Sequence, residues 1–440
     1  MNRSTDDAEA IPAIGTVTTS RRKRLRKLTG RLENGFSAEA IPELRRLLGD
    51  ADESPAVRLE AGTALIDWQE RRRRARAART RIEAEVVIVS HFALPGGNST
   101  ANAEEIRAFR DAGLRVGLLH HPVFHWDVAR PVNPKIAELV DGERVRMISA
   151  WDDVECDLMI VRLPTVLLRR RDDMPSIRAA RTVLLVNQTP FKFYGPDGGA
   201  EEAWDVAEVK SSLAEWAGPA TWYPVGPMVR RTLAEHHSGE LAGVDLADED
   251  WHECLDPALW RRERRPEHDG PIRIGRHSRD HPLKWPETAD DLRACYPEGE
   301  DLEIRVLGGA ETVERRLGRL GPNWKVLPFG AMPPREFLHE LDVMVYFIAA
   351  EGREAFGIAP LEAMAAGVPV VMDRRFEELF GSAALYCEPA EVAEVVRDLV
   401  RTPGAYEAQC DRAFAAVEER FSHRALLRRV AALGVDAAAQ

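Results

Sequence analysis

Apolar residues along the chain keep two different periods, and the change from one to the other falls near residue 84. Up to about residue 20 the sequence is polar with small side chains and predicts a disordered tail. From 21 to 83 the period is helical. Ile41, Leu44, Leu47 and Leu48 recur at helix spacing with Pro42 near a helix start, and Ser54 is placed to cap a second helix that runs through Leu65, Ile66 and Trp68. The run Glu85-Val-Val-Ile-Val-Ser90 is apolar without alternation, the pattern of a strand buried on both faces in a parallel sheet. A Gly-Gly loop at 96–97, a helix over about 101–112, Gly113 and a strand over 114–119 complete a βαβ unit. Further strands are predicted at 157–161 and 182–186, giving an α/β domain over 84–235. Residues 236–270 are rich in Glu, Asp, Arg and Trp and read as a linker with short helices. A second α/β domain spans 271–425, with strands predicted at 271–275, 303–307, 324–327, 343–346 and 368–371, and 426–440 reads as a C-terminal tail. The fold class is α/β, with two doubly wound domains and a helical appendage; ligands of such sheets bind beyond the carboxyl ends of the strands.

Composition narrows the classes of function. The 440 residues carry a net charge of −12, against a general binder of nucleic acid. No apolar run approaches the ~18–20 residues of a membrane span, and the first residues lack the apolar stretch of a secretory signal. Five cysteines without a CxxC pair argue against disulfides or a zinc site and for a reducing cytosol. The charge is uneven: 21–27 and 71–76 are strongly basic. They read either as solvated helix faces or as attraction to an anionic membrane surface, an anionic glycan or a partner enzyme. The spacing Asp248-Glu-Asp250 could suit a metal but lies in the polar linker, and no metal site is expected.

The candidate chemistry concentrates at Glu354-Ala-Phe-Gly-Ile-Ala-Pro-Leu-Glu362, followed by Ala363-Met-Ala-Ala-Gly-Val-Pro-Val-Val371. Gly357 and Pro360 predict a loop entering a helix, and Gly367 and Pro369 its end and the turn into a buried strand. Two carboxylates at the mouth of a helix can accept sugar and ribose hydroxyls, while the free N–H groups of the helix accept phosphate. A nucleotide-sugar has both groups. Gly275-Arg276-His-Ser-Arg279 through Lys284 follows the first strand of the second domain and offers cations for a leaving diphosphate. Gly96-Gly97 at a βα turn lets a ligand approach the backbone. His120, His121, Asn187 and Gln188 stand at strand ends of the first domain and could meet the transferring sugar or the acceptor, or serve as local caps.

The segment 354–371 resembles the Glu-x7-Glu signature of the family-4 retaining glycosyltransferases (glycosyl transferases group 1) of GT-B fold, including its Phe356-Gly357 pair. That resemblance covers about 85–425 in layout and implies two Rossmann-like domains facing a cleft, the first for the acceptor and the second for the donor. It implies that Glu354 contacts the donor sugar, that Glu362 holds the ribose, and that Arg276 and Lys284 hold the diphosphate. Residues added between Arg276 and Lys284 depart from the family pattern and leave that role open between Arg276 and Arg279. By the same resemblance Gly308 ends a glycine-rich strand near the nucleotide, and Phe329-Gly330 lies beside the base. Gly96-Gly97 would border diphosphate and acceptor. The strand ends at Arg162 and at Asn187-Gln188 depart from the histidine the family often carries there, so a catalytic His is not assigned.

The expectation is therefore a retaining transfer from a UDP- or GDP-sugar to a glycan or lipid-linked hydroxyl acceptor, in cell-envelope glycan or glycolipid synthesis, with no metal or other cofactor. The protein would be cytoplasmic, with peripheral contact at the inner face of the membrane through residues 21–81. An inactive GT-B scaffold and a GT-B sugar-nucleotide epimerase are the alternatives.

Overall fold

A computed structural model describes residues 19–121, 130–195, 198–263 and 270–435. Most of the tail expected over 1–20 lies outside the described residues, as does 436–440 of the expected C-terminal tail.

Three helices come first: α1 (Thr19–Glu33), α2 (Ser37–Gly49) and α3 (Pro55–Ala77). Their apolar faces close on one another through Leu25, Leu28, Leu32, Leu44, Leu47, Val57 and Ala61. Ser54 caps α3 by accepting from the Val57 N–H, with Pro55 in the first helical position. Pro42 lies inside α2, because that helix begins five residues earlier, at Ser37. The bundle meets the next domain where Arg169 pairs with Glu39 and where Asp172 accepts from Ser37 and Ala38.

The first domain has a seven-stranded sheet: β1 (Arg81–Ser90), β2 (Val116–His120), β3 (Val145–Met147), β4 (Asp153–Arg162), β5 (Ser176–Val186), β8 (Thr221–Pro224) and β9 (Asp245–Leu246). Its order is β3-β2-β1-β4-β5-β8-β9, and every neighbouring pair is parallel. A separate antiparallel hairpin, β6 (Phe191–Gly195) and β7 (Gly198–Glu202), rises from the carboxyl end of β5. The second domain has a six-stranded parallel sheet of β10 (Ile272–His277), β11 (Leu302–Leu307), β12 (Trp324–Leu327), β13 (Val343–Tyr346), β14 (Val370–Met372) and β15 (Leu385–Tyr386), in the order β12-β11-β10-β13-β14-β15. The chain reverses direction of sheet growth between β1 and β4 and again between β10 and β13. Those are the switch points where a crevice opens beyond the strand ends.

β1 starts four residues before its apolar run. Its first half alternates, with Ile82 and Ala84 buried between exposed neighbours, and only from Val86 is it covered on both faces.

Two stretches differ from expectation. Within 236–270, Asp245-Leu246 adds an edge strand to the first sheet, and Trp251, Glu253 and Cys254 are buried. Aromatic and charged residues in a polar stretch hid a segment that belongs to the first domain's packing. The expected tail begins inside a helix, His423–Ala432, whose Leu426 and Val430 join the first domain's core. That helix packs on the helix α4 (Gly97–Asp111), where His423 Nε2 meets Glu104 at 2.8 Å. The last described helix thus packs on the first domain.

Candidate active site

A cleft of ≈ 550 Å³ lies between the carboxyl ends of the two sheets, within the range of small-ligand sites. On the first-domain side β1 runs into Gly96, which has φ +86° and precedes the 15-residue α4. Only glycine adopts that angle without strain. The first N–H groups of α4 therefore open on the cleft, which Gly96, Gly97 and Asn98 line. Asn187 and Gln188, after β5, line the same wall, and Asn187 Nδ2 donates to Asn98 Oδ1 at 3.4 Å. Lys135 completes it and donates to Thr100 at 3.1 Å.

Across the cleft stands Arg279. A Cβ on Gly96 would lie 3.9 Å from Arg279 Nε, so this guanidinium reaches to contact distance of the glycine loop at the mouth of α4, where cation and helix N–H groups can share an anion. Gly308 does not line the cleft; it shapes the loop that carries Arg279. Its φ is +121°, and a Cβ there would lie 1.8 Å from the carbonyl oxygen of Ser278.

Arg276 is a correction. It is fully buried, donates to the Phe347 carbonyl at 2.9 Å, and has its guanidinium carbon 4.4 Å from the Trp285 ring centroid and 4.8 Å from that of Tyr346. As a residue inside β10 it points to one face of the sheet, under the cleft floor; Arg279 lies beyond the strand end and is free to reach a ligand. The next residue, His277, takes the other face and lines the cleft.

Glu354, Lys284 and Tyr346 form one cluster on the second-domain wall. Lys284 Nζ and the Tyr346 hydroxyl both donate to Glu354 Oε2, the latter at 2.9 Å. Burial alone would raise the Glu354 carboxyl, but the Lys284 ammonium and the Tyr346 hydroxyl outweigh it and hold the group below its ordinary range. Burial in turn opposes the charge on Lys284, yet Glu354 more than compensates and raises its pKa. Both members stay ionised at neutral pH.

Glu362 sits in the helix Ile358–Ala366. Gly357, at φ +93° and ψ +66°, is its N-cap, and Gly367, also left-handed, its C-cap. Glu362 is 5% exposed, and His277 Nε2 stands 3.1 Å from its Oε2. Phe329, 63% exposed, presents an aromatic ring at the cleft rim, while Gly330 supplies only the turn behind it at φ +78°. Phe356 touches the cleft but is 4% exposed; its ring packs on His252, Phe380 and Phe421 with centroids 5.7–6.0 Å apart.

His120 is a second correction. Its Nδ1 accepts the Phe92 N–H at 3.1 Å and its ring lies against Phe92 and His91, away from the cleft lining. Asp250 of the Asp-Glu-Asp run pairs with Arg230 at 2.7 Å. Among the described residues no group of three or more His, Cys, Asp or Glu side chains is arranged to hold a metal.

Sequence reading missed His277, Tyr346, Asn98 and Lys135 as cleft residues. Tyr346 closes a predicted strand and Asn98 follows the Gly-Gly pair, so position at a strand end or loop was the available signal. Lys135 lies in a four-residue helix, Pro134–Ala137, with no such signal.

Residues 285–402 match the family model described as glycosyl transferases group 1. Among solved structures the chain is similar to a glycosyltransferase from Rickettsia africae ESF-5, at 13% identity over 81% of this chain and 97% of that one, with a TM-score of 0.53. It is also similar to the alpha,alpha-trehalose 6-phosphate synthase of Burkholderia multivorans, at 10% identity over 80% and 97% with a TM-score of 0.48. No curated protein sequence matches the chain. At these identities the first structural match carries the fold alone, and the family match falls on the domain that holds Lys284, Glu354 and Glu362. The chain has the GT-B fold, and residues 285–402 of its second domain are similar to the group 1 glycosyl transferases.

Proposed function

We propose that the protein moves a sugar from a nucleoside-diphosphate sugar to a hydroxyl acceptor, with retention of anomeric configuration and without a metal. The observation that carries this reading is the grouping of Glu354, Lys284, Arg279 and Glu362 along one wall of a cleft whose opposite wall is a helix N-terminus behind Gly96. The diphosphate would lie between Arg279, Lys284 and the N–H groups of α4, with the ribose on Glu362 and the base toward Phe329. The donor sugar would lie against Glu354, and the acceptor against Asn187 and Gln188.

In the reaction the bond from the anomeric carbon to the diphosphate oxygen breaks and the acceptor oxygen bonds to that carbon. The acceptor proton passes to the departing diphosphate oxygen on the same face of the sugar, so no protein nucleophile is consumed. Cations and N–H dipoles stabilise the charge that gathers on the leaving group. Lys284 is already held ionised and oriented by Glu354, which lowers the cost of placing it against phosphate. The test is calorimetry with UDP, GDP, ADP and dTDP, and with UDP-glucose and GDP-mannose, on wild type and Glu362→Ala. Selective binding of one nucleotide that the variant loses supports the donor site. A folded protein that binds none of them favours a scaffold, and an inverted product anomer in turnover assays removes the retaining mechanism.

The acceptor is proposed to be a glycan or lipid-linked hydroxyl of cell-envelope synthesis, met at an anionic surface. Support comes from α1, where Arg22, Lys23, Arg26 and Lys27 are exposed and have no carboxylate partner among the described residues, while Leu25, Leu28 and Leu32 face the bundle core. Sedimentation with phosphatidylglycerol vesicles should fall when these four are changed to Glu; equal sedimentation of both forms would remove the membrane contact. Among the described residues no helix is long and apolar enough to cross a membrane.

A further inference from the structure

Among the described residues the polar group that meets the Glu362 carboxylate is His277, which comes from the other side of the second sheet's switch point. His277 ends β10, and its Nε2 lies 3.1 Å from Glu362 Oε2. The residue is 8% exposed, and its Nε2 makes no aligned hydrogen bond among the described residues. The ring is fixed edge-on against Phe337, at a centroid distance of 6.4 Å and an interplanar angle of 73°. Glu362 is itself fixed at its backbone by a helix that is buried almost throughout. A carboxylate on such a helix still has freedom about its own side-chain torsions, and a buried carboxylate needs a donor.

We infer that His277 is a positioning residue: when a ribose binds, the Glu362 carboxylate turns so that one oxygen accepts Nε2–H of His277, 3.1 Å away, and the other meets the vicinal hydroxyls. The inference rests on the donor-site reading above. Its chemical consequence is narrow. Loss of His277 frees the Glu362 carboxylate to rotate, so the site loses its preference for a ribose diol while its grip on the diphosphate, through Arg279, Lys284 and α4, stays as it was. A residue that only supported the fold of the cleft would weaken every nucleotide alike.

The experiment compares UDP, GDP and ADP with their 2′,3′-dideoxy forms by calorimetry on the full chain, as wild type, His277→Ala and His277→Gln. Wild type is expected to bind one ribonucleotide more tightly than its dideoxy form. His277→Ala should weaken that ribonucleotide by about 10-fold, the scale of one hydrogen bond to a charged group, and leave the dideoxy form unchanged. His277→Gln, whose amide N–H can replace Nε2–H, should restore most of the difference. Unchanged ribonucleotide affinity in His277→Ala, or equal weakening of both forms, overturns the inference. A wild type that binds nucleotides but does not distinguish the dideoxy forms overturns it too and leaves the diphosphate site standing. A wild type that binds none removes the donor-site reading, and this inference with it.

Discussion

Arg276 and Arg279 are three positions apart and do different work. Arg276 is enclosed by Trp285, Tyr346 and the Phe347 carbonyl, so its charge is spent inside the second domain. Arg279 lies beyond the strand end, across from Gly96. Arg276→Ala should therefore cost stability, roughly 3 kcal/mol from a lost charged hydrogen bond, a desolvated cation–π contact and a cavity. Arg279→Ala should leave stability within about 0.5 kcal/mol of wild type and weaken nucleoside-diphosphate binding by about 10- to 100-fold. Urea unfolding and calorimetry on the two variants read these effects separately; the reverse pattern would show that the buried arginine reaches the ligand. The sequence could not separate them, because the side a residue takes at a strand end depends on the register of β10 against β11 and β13. The acidic pair was more legible. Glu354 and Glu362 are fixed relative to one another by a short loop and one helix, so eight residues of sequence carry their geometry. Their partners Tyr346 and His277 come from other strands, and no local pattern announces contacts between them.

At the scale of elements, what could be read was whatever one element decides alone. The strands buried on both faces, the βα turn at Gly96-Gly97 and the Ser54 cap all follow from runs, glycines and caps within a few residues. The edge strand β9 and the helix His423–Ala432 escaped because each is stabilised by a neighbour distant in sequence, β8 for one and α4 for the other. Gly308 shows how one element controls another across the site. It follows the last residue of β11, and its missing side chain lets the 278–279 backbone pass within contact distance. Gly308→Ala should force that loop away from β11, since a Cβ 1.8 Å from the Ser278 oxygen cannot be accommodated and φ +121° is unfavourable for alanine. The expected result is a loss of roughly 1–3 kcal/mol in stability together with weaker nucleotide binding through a displaced Arg279. A variant with wild-type affinity would show that the loop's position does not matter for the ligand. Gly96→Ala, by contrast, meets open space apart from Arg279, so it tests backbone strain alone.

Over the whole molecule, the two domains are joined by an aromatic cluster that includes the signature loop. Phe356 of that loop packs on Phe380 and Phe421, and His252, from the stretch crossing between domains, lies against Phe356 and Phe421 with centroid distances of 6.0 and 5.3 Å. Burial drives the His252 pKa down to about 4; the hydrogen bond to the Val225 carbonyl opposes this, while Arg429, Arg420 and Arg230 add to it. The unfolded chain takes up a proton near 6.5, but the folded chain resists it until about 4. Between those values the unfolded state binds more protons, so folding stability rises with pH. The contribution is complete above about pH 6.5 and is lost as pH falls to about 4, amounting to ~3 kcal/mol for one histidine. His91, also lowered to about 4 by burial and by Arg130, adds a similar slope in the first domain. Glu354 behaves differently: its carboxyl is depressed, so its stabilising share is lost only as pH falls below the ordinary carboxylate value of 4.5. The histidine window is therefore the one to measure. Urea unfolding from pH 7.5 to 4.5 should show wild type losing stability steadily below about 6.5, and His252→Gln, which keeps a donor for Val225 but does not titrate, losing clearly less over the same range. If both proteins lose stability in parallel, His252 takes up its proton equally well in the folded state, and the contact between the signature loop and the crossing segment is open to water.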